Sequence, residues 1–371
     1  MRAFLFFVAV SLSAQEWTRH LIAEGFVNQT VVPGDFTGDG RIDVITNDTK
    51  RTILFVAPDW KPIVLHEGLR VLYGVAMDVD GDGDLDFIGA QFSPGVIFWL
   101  ECPAKPLEQK WTFHLIDDLE HGGPDGVHGL ALADIDDDGQ LDLVASSGQP
   151  KGKFANSILW YRIPKLGPKG RMWERWVAGR WDAPGNAHYV AVGDVNGDKR
   201  IDIATGAKSP PDGNWFAWWE QPDAWDEPWK KHVIATNQEG ASNILIADVN
   251  RDGKMDFVAS RGHGFGLVWF EAPAWTEHVI DAEIAGPHAL AVGDIDLDGD
   301  LDIACIGKND FTTAWYENDG KGAFTKHLIS KKQAAYDIRL IDMNADGAPD
   351  LLVAGENSKN VVWYENPLKR R

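Results

Sequence analysis

The string "DIDLDGDLD" starts at Asp294, and the chain carries that pattern seven times. The other copies are "DFTGDGRID" at Asp35, "DVDGDGDLD" at Asp78, "DIDDDGQLD" at Asp134, "DVNGDKRID" at Asp194, "DVNRDGKMD" at Asp248 and "DMNADGAPD" at Asp342. Their first aspartates are 43, 56, 60, 54, 46 and 48 residues apart. A repeat of this length is one supersecondary unit, and the spacing is that of a propeller blade rather than a short solenoid coil. A chain of 371 residues would otherwise suggest two or three domains, a prior that a repeat overrides.

Four strand-like pieces surround each loop. Before it runs an alternating apolar segment such as "HALAVGD" (strand A), and after it one such as "LDIACIG" (strand B). An aromatic segment ending in an acidic turn follows, as in "LVWFEAP", "TAWYEND" and "VVWYENP" (strand C), and then "WTEHVID" or "FTKHLIS" (strand D). Alternation, β-branched and aromatic residues, and Gly, Pro and Asn punctuation favour strands, and no segment reads as a convincing amphipathic helix. Near the N-terminus "EWTRHLI" is a D strand with no A, B or C before it; near the C-terminus "NVVWYENP" is a C strand with no D after it. The simplest closure lets Trp17 to Ile22 complete the last blade. The expectation is therefore an all-β fold: a seven-bladed β-propeller over 16–371, with four-stranded blades and the last blade closed by the N-terminal strand.

Positions 1, 3, 5 and 9 of the repeat are oxygen donors almost throughout. The candidate metal ligands are Asp35, Asp39 and Asp43; Asp78, Asp80, Asp82 and Asp86; Asp134, Asp136, Asp138 and Asp142; Asp194, Asn196, Asp198 and Asp202; Asp248, Asn250, Asp252 and Asp256; Asp294, Asp296, Asp298 and Asp302; and Asp342, Asn344, Asp346 and Asp350. Alternating donors with a Gly at position 6 let a short turn wrap a hard cation, and calcium prefers about six to eight oxygens in irregular geometry. Position 12, acidic in an EF-hand, is Thr46, Gly89, Ala145 or Cys305 in the copies compared, and no helices flank the loops, so they are not EF-hands. The copies are unequal. The first has Thr37 at position 3, and the fourth has Lys199 where Gly would sit, so a positive φ there would cost ~1 kcal/mol.

The seven loops and the "W-[YF]-E" strands resemble the FG-GAP/VCBS repeat family, which includes the integrin α-subunit propeller. The resemblance covers nearly all of the chain after residue 15. It implies that each loop joins strand A to strand B and binds calcium at a blade edge, up to seven ions in all. It also implies recognition of a ligand on the opposite face, which carries the D–A and B–C connections.

The formal net charge is −21, and seven divalent ions would offset fourteen of those charges. The acidity is thus mostly explained by metal sites, and it argues against nucleic-acid binding. "MRAFLFFVAVSLSAQ" (1–15) reads as a secretory signal: Arg2, a short apolar run, then small residues. The expectation is a secreted or periplasmic protein with no membrane span, acting as a monomer. Cys102 and Cys305 lie in distant repeats and are expected to be unpaired.

On the expected ligand face the longest connections belong to blades three and four: 117–127, 146–157, 179–187 and 206–215. Trp181 and Trp215 in these could stack on sugar rings. His128, His188 and His288 each precede the first Asp of a loop by six residues, which puts them at one height on separate inner strands. Tyr73, Asn243 and Asp337 are polar in the neighbouring register. The histidines His20, His114, His232, His278 and His327 recur in strand D, and their regularity there marks them as structural.

Two function classes follow. One is a secreted, calcium-binding recognition module for a glycan or protein. The other is a metal-assisted carbohydrate lyase or dehydratase, with an additional transition metal at the histidines of the channel mouth. The propeller portion of aldos-2-ulose dehydratase is similar in repeat style, although no cupin-like segment follows here. No nucleophile elbow, P-loop or dinucleotide fingerprint is present.

Overall fold

The computed structural model describes residues 16–368, so the leader-like segment 1–15 lies outside the described residues. They form seven four-stranded antiparallel sheets, and among the described residues there is no helix. Blades one to six run in simple order over 31–67, 71–118, 130–179, 187–236, 243–285 and 287–330. Blade seven takes its three inner strands from 337–365 and its outer strand from Thr18–Glu24.

Strand B is buried on both faces, as in Asp302–Gly307, because a blade stacks on either side of it. That is why these strands read as unbroken runs of apolar and small residues. Strand D lies outermost and is mostly exposed, as in Lys61–Glu67, where only Leu65 is buried. The core is divided among seven hydrophobic clusters, one at each junction between neighbouring blades. The cluster between blades seven and one holds Ile22 of the N-terminal strand with Val31, Val44, Leu352 and Trp363.

The N-terminal strand closes the last blade, as expected. Thr18 lies opposite Glu365 and His20 opposite Trp363 in an antiparallel ladder. The N-terminal strand thus covers the edge that strand C of blade seven would otherwise expose.

The strand D histidines have a common structural role. His20, His114, His232, His278 and His327 stack on Trp363, Trp99, Trp218, Trp269 and Trp315, with ring centroids 4.0–4.4 Å apart. Each also places Nε2 2.6–2.9 Å from the Glu two residues after that Trp. The "W-x-E" of strand C and the His of strand D are therefore one clamp. Blades one and three lack it: blade one has Leu54, Val56 and Ile63 at the three positions, and in blade three Trp160 stacks on Trp176 while Arg162 stands in place of the Glu.

Candidate functional site

The seven Asp loops share one backbone. In six of them the first carboxylate accepts the N–H groups of the fifth and sixth residues, as Asp35 does from Asp39 at 3.0 Å and Gly40 at 2.8 Å. The fifth carboxylate accepts from the seventh residue, as Asp82 does from Asp84 at 3.0 Å. Positions 4 and 6 are left-handed in every copy. Lys199 adopts φ 73°, the conformation that Gly holds at position 6 elsewhere. At position 4, Asp137, Arg251, Leu297 and Ala345 accept the same strain, on the order of 1 kcal/mol each.

The ninth carboxylate does a second job. Asp86 accepts from Val79 N–H at 2.9 Å and from Cys102 N–H at 2.7 Å, and Asp302 does the same with Ile295 and Asn318, both at 2.9 Å. These bonds staple the loop to the end of strand C. Burial pushes the carboxyls of Asp86, Asp142, Asp202 and Asp302 up to about 7, and that of Asp350 to about 6. Neighbouring loop carboxylates push in the same direction, while the N–H donors oppose it.

Three loops bring carboxylate oxygens from positions 1, 3 and 9 within 4.8 Å of one another: Asp78, Asp80 and Asp86; Asp134, Asp136 and Asp142; Asp294, Asp296 and Asp302. In two of these a protein cation pairs with the clustered carboxylates, whereas in loop six Arg251 pairs with Asp300 at position 7, 2.5 Å away. The Lys169 ammonium lies 2.6 Å from Asp80, and Arg162 pairs with Asp136 and, at 3.0 Å, with Asp138. In the sixth loop Asp294, Asp296 and Asp302 have no such partner among the described residues, and Asp294 Oδ1 is buried without a hydrogen bond. An all-oxygen, multiply anionic set of this kind suits a hard divalent ion, and loop six fits it best.

The opposite face holds the channel mouth. His128, His188 and His288 converge as their shared register predicts, with ring centroids 3.3 Å apart for His128 and His188, 5.6 Å for His128 and His288, and 5.0 Å for His188 and His288. Close backbone approach allows this. A Cβ on Gly129 would lie 2.7 Å from Tyr189 Cα, and one on Gly262 would lie 2.8 Å from His288 Cα. Burial, and then the neighbouring imidazoles and lysines, hold all three rings well below the usual histidine range, so they are neutral.

Other predicted residues fall elsewhere. Tyr73 lies one layer deeper, where its hydroxyl accepts from Arg339 at 2.6 Å; Arg339 pairs with buried Asp337 at 3.1 Å. Tyr73 meets Tyr189 edge-on, and Tyr189 in turn packs against His128 and His288. Asn243 is buried at the start of strand A in blade five. Trp215 is buried, with its indole N–H donating to the Pro184 and Asp212 carbonyls. Trp181 is 61% exposed. Cys102 and Cys305 are buried free thiols.

The sequence reading missed His263, Lys208 and Tyr336, although Tyr336 precedes Asp342 by the same six residues that separate the three histidines from their loops. His263, in the B–C connection of blade five, places Nε2 3.2 Å from His188 Nε2, and Lys208 Nζ lies 3.0 Å from the same His263 nitrogen. Burial, Lys208 and Lys308 press His263 down to about 3, and burial with Lys308 lowers Lys208 to about 8. The signal available was positional: "RGHGFG" and "GAKSPP" are B–C connections, which lie on the face of the D–A connections. A cavity of about 470 Å³ opens at this mouth, lined by Gln29, Arg70, Gln91, His128, Lys208 and Tyr336 among others.

Comparison with known proteins agrees with this architecture. The family model described as FG-GAP-like repeat matches residues 78–145, 194–259 and 294–353, just over half of the chain. Among solved structures, two crystal structures of BBS1N in complex with ARL6DN, one soaked with lead and one with mercury, share the fold. Each aligns with a TM-score of 0.63 at 11% identity, over 95% of this chain and 97% of that one. No curated protein sequence matches the chain. Among the described residues no helix is long and apolar enough to cross a membrane.

Proposed function

The chain belongs to the FG-GAP-like repeat family, and from that premise we propose that it is a secreted, monomeric, calcium-stabilised propeller that recognises a glycan or protein ligand on the face opposite its Asp loops. The observation that carries the recognition reading is the mouth cavity. Its polar side chains come from D–A and B–C connections of blades one, two, three, four and seven, so a bound molecule would touch most of the ring at once. Exposed Trp181, in a connection on the same face, offers an apolar platform of the kind sugar rings stack on. BBS1N, of the same fold, is in complex with a protein, which supports the protein alternative.

Calcium enters as scaffold. The repeated strained turn gathers carboxylates that repel one another, and a divalent ion offsets that repulsion while the ninth Asp ties the turn to strand C. Asp294, Asp296, Asp298 and Asp302 would hold the tightest ion.

The test is a side-by-side screen of wild type and Arg70→Glu on a glycan array and against immobilised secreted proteins. The reading predicts a ligand bound by wild type and lost in the variant. Ligands bound equally by both would place recognition away from the mouth.

A further inference from the structure

One nitrogen from each of His128, His188 and His288 lies within 4.8 Å of the corresponding nitrogens of the other two. All three side chains are buried. The hydrogen bonds of His288 determine where its proton sits. His288 Nδ1 lies 3.0 Å from the Tyr336 carbonyl oxygen and 3.1 Å from the Tyr189 hydroxyl, whose own proton goes to that same carbonyl at 2.9 Å. A carbonyl only accepts, so Nδ1 carries the proton and Nε2 is a bare lone pair. That Nε2 is buried and has no partner.

His188 Nδ1 is likewise buried without a partner. Its Nε2 lies 3.2 Å from His263 Nε2, whose one in-plane lone pair accepts from the Lys208 ammonium at 3.0 Å. His128 spends Nε2 on the Tyr336 hydroxyl at 2.9 Å and leaves a buried, unpartnered Nδ1.

Three neutral imidazoles thus each keep a spare nitrogen in one buried cluster, with no carboxylate among the metal-ligating groups there. Buried polar atoms without partners are destabilising, and one bound ion would give these nitrogens a partner. Nitrogen donors do not suit calcium, which takes oxygen; they suit zinc-class ions. The carbonyl holding His288 Nδ1–H is the outer-shell partner that metal-ligating histidines ordinarily have.

We propose that His128, His188 and His288 form a three-histidine site for one zinc-class divalent ion, separate from the calcium loops. Three protein ligands leave a coordination position for water or a bound molecule. His128, Tyr336 and Lys208 also line the mouth cavity, so that position is reachable from the face where recognition is proposed. The site stands on its own geometry and does not require the recognition reading to hold.

The test uses the full chain, stripped with chelator, dialysed free of it, and returned to excess Ca²⁺ so that the acidic loops are filled. Co²⁺ is then added, and uptake is read by metal analysis after gel filtration and by visible absorption. The expected result is one Co²⁺ per chain with the spectrum of a nitrogen-ligated ion. His128→Ala with His188→Ala should abolish uptake and keep the Ca²⁺-dependent melting temperature. Asp296→Asn, in loop six, should leave Co²⁺ uptake intact. If the double variant does not fold, His288→Gln replaces it with the same expected loss. Failure of the wild type to retain Co²⁺, or full uptake by the histidine variants, overturns the proposal. Loss of uptake in Asp296→Asn alone would assign the ion to the loops and overturn it equally.

Discussion

The Arg162 guanidinium lies 3.0 Å from the Asp138 carboxylate and also pairs with Asp136, so a protein cation covers positions 3 and 5 of the third loop. Blade three is also the blade in which Arg162 replaces the clamp glutamate and Trp176 replaces the clamp histidine. By sequence this loop, with four aspartates, looks as strong a calcium site as loop six. In the fold its charge is already partly compensated.

Replacing that cation should open the site. Arg162→Gln is expected to raise calcium uptake at loop three, seen as tighter or additional binding by calorimetry in chelator-treated protein. Asp296→Asn in loop six should remove the tightest phase. Identical isotherms for wild type and Arg162→Gln would show that the guanidinium does not compete with calcium.

The His–Trp–Glu clamp should contribute to stability independently of metal. His114 is nearly buried, stacks on Trp99 and bonds Glu101 at 2.7 Å. His114→Ala should cost about 1–2 kcal/mol, from the stack and one hydrogen bond. His114→Phe keeps an aromatic face and should lose about half as much. The check is the urea midpoint of both variants at saturating Ca²⁺; two unchanged midpoints would return His114 to a passive surface role.

Stability without metal should depend on pH in an unusual direction. The carboxyls of Asp86, Asp142, Asp202 and Asp302 are raised to about 7 and that of Asp350 to about 6, whereas unfolded aspartates titrate near ~3.9. Between those values the folded state binds more protons than the unfolded one, so stability falls as pH rises. Metal-free protein should therefore show a lower urea midpoint at about pH 8 than at about pH 5, and added Ca²⁺ should recover most at the higher pH. The buried neutral histidines act in the opposite sense up to about pH 6.5, so a midpoint that rises with pH in metal-free protein would show that they outweigh the ninth aspartates.

Much of the fold was legible because it repeats. A loop seen once is a turn; seen seven times at blade spacing, it fixes strand order, blade number and, through "EWTRHLI", the closing strand. The shared offset of His128, His188 and His288 was readable for the same reason, since equal register on inner strands means equal height in the channel. His263 and Lys208 were not readable, because they sit in B–C connections of unequal length that share no register. Trp215 shows a different limit: loop position suggests a free ring, but the Pro184 and Asp212 carbonyls capture its indole N–H and bury it. The cations on loops two and three were hidden because Lys169 comes from the neighbouring blade's C–D connection, and Arg162 is brought beside the Asp136 loop only when strand C pairs in its own blade.

Calcium bound at the Asp loops is the central claim, and thermal unfolding tests it most directly. The full chain is melted as prepared, after chelation with metal removal verified by elemental analysis, and after Ca²⁺ is returned. Ligand that binds only the native state raises stability by mass action, so the account predicts a lower melting temperature on removal and full recovery with Ca²⁺. A melting curve unchanged by verified removal of calcium would contradict it.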